Sequence, residues 1–291
     1  VTTEHDKAPE PTAWSDAIDK LAFNPGGAGR VFCVSAGNAD VSDLPLMQGF
    51  PAMNLTQQLE DPAQAWNCLT IGGYTELTQL PPTHGPTWHV IGPQGGLSPH
   101  SRCGPVSHSR CQKPDVVFEA GNVAFDGALL DAQVESLTSL TTSRRHHLGS
   151  PLGQHFGTSA ATSRASNFVA SLMSQHTALL NETVRGLVVH AASWNATMFA
   201  QFPNLDERLA AFGYGEPNWE LASSCADERA SVVFEGSLPN RTPSGERIAR
   251  VYELPVPAEG VETAGNVELR VTLSYFSEPN TVRRRSLRCP L

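Results

Sequence analysis

Charge is scarce in this chain. Asp, Glu, Lys and Arg make up 17 % of its 291 residues, and acidic side chains are in excess, giving a formal net charge of −9. A nucleic-acid partner would call for a basic face, so the balance argues against one. No run of about eighteen apolar residues occurs, so no membrane-spanning helix is expected. No signal peptide is visible. The six cysteines (Cys33, Cys68, Cys103, Cys111, Cys225, Cys289) contain no Cys-x-x-Cys pair. No Gly-x-Ser-x-Gly elbow occurs, which sets aside the hydrolases built on that turn.

Glycine and proline are plentiful, with 24 and 22 residues, and the apolar fraction of 40 % is ordinary. That composition suits a loop-rich α/β protein better than a helical bundle. The length is enough for one large domain or two smaller ones.

Ser15 opens an expected helix in which Trp14, Ile18 and Leu21 recur at helical spacing. Glycines then break it, and Val31-Phe32-Cys33-Val34 reads as a buried parallel strand. Ser35-Ala36-Gly37-Asn38 leaves the carboxyl end of that strand, where open α/β sheets place their ligands. Cys68–Tyr74 and Val116–Gly121 read as further strands. The stretch from Thr78 to Cys111 is a long Pro-, Gly-, Ser- and His-rich loop. Its histidines (His84, His89, His100, His108) are irregularly spaced and are expected to be solvated rather than metal ligands. Cys33 is expected to be a buried thiol, whereas Cys103 and Cys111 flank a short loop and could pair. Asn-x-Ser/Thr sequons occur at Asn54, Asn181, Asn195 and Asn240; Asn181 reads better as a helix cap.

Phe156-Gly157-Thr158-Ser159-Ala160-Ala161-Thr162-Ser163 runs straight into a small-residue helix, with Ala161, Ala165, Phe168, Val169, Leu172 and Met173 on one face. A hydroxyl there sits at a helix N-terminus, where N–H groups are unpaired and negative charge is favoured. A serine so placed can act as a nucleophile with its own N–H stabilising the oxyanion. The plainer alternative is that Thr158 or Ser159 only caps the helix. A second helix, Thr183–Ala191, carries His190, read as structural.

From Ser231 the pattern changes. Segments 232–235, 247–254 and 267–276 read as strands, the last alternating Val267, Leu269, Val271, Leu273 and Tyr275 with polar residues. Two regions are therefore expected: an α/β domain over 1–228 and an incomplete β-rich region over 229–291. The Arg283-Arg284-Arg285 run reads as a solvated edge.

Ser-Ala-Gly-Asn followed by Gly-Thr-Ser-x-Ala resembles the subtilase family, the subtilisin-like serine peptidases. Lys113-Pro114-Asp115-Val116-Val117 resembles the strand that the family carries between those two motifs. The resemblance covers roughly Val1 to Trp194. It implies a mostly parallel sheet with helices on both faces, here followed by a partial antiparallel β-sandwich. It also implies that Ser159 attacks the scissile carbonyl and that Asn38 donates its side-chain amide to the oxyanion. Peptide or protein would be the substrate. No cofactor is expected; calcium is common in the family, but no acidic loop is specific enough to assign a site.

The resemblance has gaps. The family order is Asp, His, Asn, Ser, and only 37 residues precede Asn38. They include His5 but neither a His-Gly-Thr nor an Asp-Ser-Gly-type motif, and His84-Gly85 follows Asn38. The expected general base and its Asp would belong to a missing N-terminal segment of the same protein, and the chain alone is expected to be inactive. Ser163 stands where the family usually has Pro. The competing reading is a non-catalytic remnant whose cleft binds peptides.

Overall fold

The computed structural model describes residues 2–4, 12–24, 27–106, 112–224, 231–238, 248–254 and 268–279. Thr12 begins helix α1 (Ala13–Phe23) through a capping box with Ser15, two residues earlier than the apolar spacing predicts. The helix buries Ser15, Asp19 and Ala22 and leaves Trp14 and Leu21 exposed, so the expected apolar stripe is not its packed face. The reason is polar: Asp19 accepts from the Asn67 N–H at 2.7 Å, and its carbonyl accepts from the Asn67 amide at 3.0 Å.

The central sheet is built on β2 (Leu69–Thr75), every residue of which is buried. Strand β1 (Cys33–Ser35) pairs with its first half in parallel. After helix α2 (Leu44–Gln48) and the short strand β3 (His89–Val90), β4 (Gly96–Leu97) adds antiparallel to its end. Strand β5 (Val116–Glu119) lies parallel along the other edge. Burial on both faces requires two covering layers. One is α3 (Thr158–Gln175), whose Ala161, Ala165, Val169 and Leu172 pack on Leu69, Ile71 and Val116, joined by α4 (Asn181–His190) through Val184 and Val188. The other face is covered by Met198, Phe202 and Phe212 against Tyr74, Leu97 and Val117. Those residues belong to α5 (Ala196–Gln201), α6 (Leu205–Phe212) and the turn between them.

Smaller pieces complete the fold. Strands β6 (Ala124–Phe125) and β7 (Leu130–Asp131) pair with β3. A hairpin, β8 (Ser139–Thr142) with β9 (Leu152–His155), runs into α3. Strands β10 (Ala192–Ser193) and β11 (Glu216–Pro217) pair antiparallel, and α7 (Trp219–Ser223) follows. The mixed α/β architecture matches the expectation, down to the helices on both faces of a largely parallel sheet.

A buried ion pair fixes the register of β2 against β5. Lys113, 1 % exposed, places its ammonium 2.6 Å from Asp115 Oδ2 and 2.8 Å from the Cys68 carbonyl oxygen. The same Asp115 oxygen accepts from the Thr70 N–H at 2.6 Å. Charges taken out of water need this density of partners.

Several local expectations are corrected. Asn181 does not cap α4; Leu180 does, and the Asn181 amide donates to the Gly29 carbonyl instead. Cys103 is a free, buried thiol, and burial pushes it up to about 12; Cys33 is also free and pushed up to about 11. Cys111 lies outside the described residues, as do the 228/229 boundary, Asn240 and the Arg283–Arg285 run. The described parts of the three C-terminal segments form no strand, and Val251, Val271 and Leu273 are highly exposed. A half-apolar strand needs a partner strand, and among the described residues none pairs with these segments. Segment 268–279 instead lies against the α/β body: the Arg270 guanidinium donates to the carbonyls of His190 and Ala192, and Ser277 exchanges hydrogen bonds with Asn67.

Candidate active site

Asn38 leaves the carboxyl end of β1 through Gly37, whose φ of +99° suits only glycine. Its backbone is then fixed on two sides. It bridges antiparallel to Ser101, with the Ala39 N–H donating to the His100 carbonyl at 2.9 Å. The Arg102 guanidinium donates from Nε to the Asn38 carbonyl at 2.9 Å and from Nη1 to the Gln58 carbonyl at 3.2 Å. Glu60, 3.3 Å from Nε, and Glu4 balance its charge.

The Gly157–Ser159 turn arrives from β9. The Gly157 N–H donates to the Ala120 carbonyl at 2.7 Å, and Gly157 adopts φ +81°. A Cβ on Gly157 would stand 2.6 Å from Asn38 Oδ1, so glycine is required by conformation and by space together. Thr158 is fully buried and its N–H donates to Asn38 Oδ1 at 2.8 Å. Its hydroxyl lies 3.0 Å from both that oxygen and the Gly37 carbonyl. With its oxygen engaged, the Asn38 amide turns its NH₂ group away from Thr158.

Ser159 follows at the first turn of α3 and is exposed. Among the described residues nothing hydrogen-bonds with its hydroxyl, its N–H, or the Asn38 NH₂ group. The site therefore presents a hydroxyl and two unengaged donors at a helix N-terminus, where the α3 dipole favours negative charge. No histidine is bonded to Ser159 among the described residues, and His5 lies outside them.

His100 corrects the expectation of solvated loop histidines. It is 2 % exposed and stacks on Phe156, the residue before Gly157, with ring centroids 4.9 Å apart. Burial pushes its imidazole down to about 4, against a backbone hydrogen bond involving Asn122 that works the other way. Its Nε2 has no partner. His84 lies 3.5 Å from Asp131 and edge-on to Trp88, and His190 Nδ1 is 2.9 Å from the Thr272 hydroxyl, consistent with a structural role. Among the described residues, no three His, Cys, Asp or Glu side chains gather as metal donors.

Sequence reasoning missed three supports of this site. Thr158 orients Asn38, Arg102 anchors its backbone, and Glu119, 8 % exposed, accepts from the N–H groups of Glu76 and Gly121 to shape the turn that receives Gly157. Only Thr158, adjacent to Ser159 in the motif, carried a readable signal.

Comparison with known proteins gives the chain a family. No curated protein sequence matches the chain. Solved structures similar to it include a lanthipeptide protease, at 16 % identity and a TM-score of 0.42, covering 72 % of this chain and 53 % of that one. Another is MycP1 from Mycobacterium smegmatis, at 16 % identity and a TM-score of 0.36, covering 77 % of this chain and 46 % of that one. The chain thus spans about half the length of these two structures. The model of the subtilase family matches residues 2–215, which take in Asn38, the Lys113-Pro114-Asp115 strand and Ser159, and the chain belongs to that family.

Proposed function

We propose that the chain carries the nucleophile and the oxyanion donors of a serine endopeptidase. The observation that supports this most is the pairing of Asn38 Oδ1 with Thr158, the residue before Ser159, while the Asn38 NH₂ group and the Ser159 N–H stay unengaged among the described residues. Ser159 Oγ attacks the scissile carbonyl carbon, and its proton passes to a general base. The carbonyl oxygen takes the electron pair and is held by those two donors. Collapse breaks the C–N bond, the amine leaves with a proton, and water then hydrolyses the acyl-enzyme.

The base and its orienting carboxylate have no counterpart bonded to Ser159 among the described residues. On this reading they come from another segment of the same protein, and the chain alone turns over little or no substrate. Losing a triad member leaves only about 10³–10⁴-fold catalysis over water. The unpartnered Ser159 hydroxyl equally favours a second reading, a non-catalytic cleft that binds peptides.

A fluorophosphonate probe separates the readings, with Ser159→Ala as control. Labelling that vanishes in the variant, either in the chain alone or after adding a polypeptide bearing the His and Asp, supports the peptidase. Labelling that survives Ser159→Ala removes Ser159 from the chemistry. No labelling under either condition leaves the binding cleft as the function.

A further inference from the structure

The chain is acidic overall, yet residues 136–181 contain no Asp or Glu at all. This carboxylate-free stretch comprises the β8–β9 hairpin, the nucleophile turn and α3. Most of its basic side chains lie on the hairpin that leads into Ser159 and on the first turns of α3. Arg144, Arg145, His146 and His147 form the exposed tip of the hairpin. Arg164, on α3 one turn beyond Ser159, places Nη2 3.2 Å from the Ser139 hydroxyl at the hairpin's base. Among the described residues none of the three arginines is in an ion pair.

The hairpin also exposes apolar surface. The register pairs Leu140 with Gln154 and Thr142 with Leu152, so Leu140 and Leu152 share one face. They are 69 % and 53 % exposed, and Leu148 at the tip is 70 % exposed. Four residues per strand at about 3.4 Å each give a ridge of about 14 Å, long enough for roughly four residues of extended peptide.

We propose that this hairpin is a specificity surface that holds an acidic, leucine-type segment of the peptide substrate outside the scissile bond. The placement beside Ser159 rests on the peptidase reading. Charge complementarity selects the occupant: aliphatic side chains cover Leu140 and Leu152 while carboxylates face Arg144, Arg145 and Arg164. Exposed pairs are individually weak, so recognition requires several together and is salt-sensitive.

The test is fluorescence anisotropy with a labelled octapeptide of alternating leucine and glutamate, and its glutamine counterpart, on the Ser159→Ala chain. The expected result is preferential binding of the glutamate peptide, weakened at least tenfold by Arg144→Glu/Arg145→Glu and by about 0.5 M salt. Leu140→Ser/Leu152→Ser is expected to weaken both peptides. These side chains are exposed, so unfolding midpoints should stay within the range of ordinary surface changes. Equal binding of the two peptides, no binding of either, unchanged affinity in the arginine variant, or displacement by anionic vesicles in preference to the peptide would each overturn the proposal. The readout needs no reaction at Ser159, so its failure is distinguishable from failure of the peptidase reading.

Discussion

Asn38 and Thr158 are 120 positions apart in the chain, and one hydrogen bond of 2.8 Å from the Thr158 N–H to Asn38 Oδ1 sets the orientation of the candidate oxyanion donor. The acceptor end of the amide is spent on the protein, and among the described residues the donor end has no partner. Donors preorganised in this way cost no rearrangement when negative charge develops.

Asn38→Asp keeps that acceptor and removes the donor. Phosphonylation of Ser159 should slow by about 10²–10³-fold, the usual effect of deleting one oxyanion donor. A rate equal to that of the parent would take Asn38 out of the oxyanion site.

Gly157→Ala forces a side chain into φ +81° and to within 2.6 Å of Asn38 Oδ1. The turn must shift, breaking the Asn38–Thr158 pair. Probe labelling should be lost, and urea denaturation should show destabilisation of at least about 1 kcal/mol. Full labelling with parental stability would show that the turn absorbs a methyl group freely.

His100 gives a pH dependence. Its folded value is about 4 and its ordinary value 6.5. Between these the unfolded chain binds the proton and the folded chain does not, so stability falls as pH drops from 6.5 towards 4. The loss is on the order of 3 kcal/mol. His100→Phe preserves the stack on Phe156 and removes the titrating group, and should flatten that part of a stability–pH curve. A slope identical to the parent's would assign the acid sensitivity to other groups.

Lys113→Met leaves Asp115 buried with its nearest cation gone. Breaking one partner of a buried pair typically costs about 3–5 kcal/mol. Denaturant titration reads this directly, and a change under about 1 kcal/mol would mean that Arg185, 3.8 Å from Asp115 Oδ1, takes over the charge.

The core was readable because its signals are local. β2 and β5 are short apolar runs bounded by turn residues, and α3 shows its alanine-rich face in consecutive turns. Asn38 and Ser159 stand in compact motifs that survive without their surroundings. What was not readable depends on contacts between distant segments. Nothing near Trp14 or Leu21 says that Asp19 will turn α1 towards Asn67. Nothing near His100 says that Phe156 will cover it. The C-terminal alternation was real as a pattern, but period two becomes a strand only where a neighbouring strand pairs with it.

Arg102 touches Glu4, Asn38, Gln58 and Glu60 with one guanidinium. Four stretches of chain must therefore have found one another before the Asn38 loop is set. A nascent or partly unfolded copy carries the Ser159 hydroxyl while Asn38 is still free to turn. The geometry of the Asn38 loop is thus a late product of folding, completed only when residues distant in sequence close on one guanidinium.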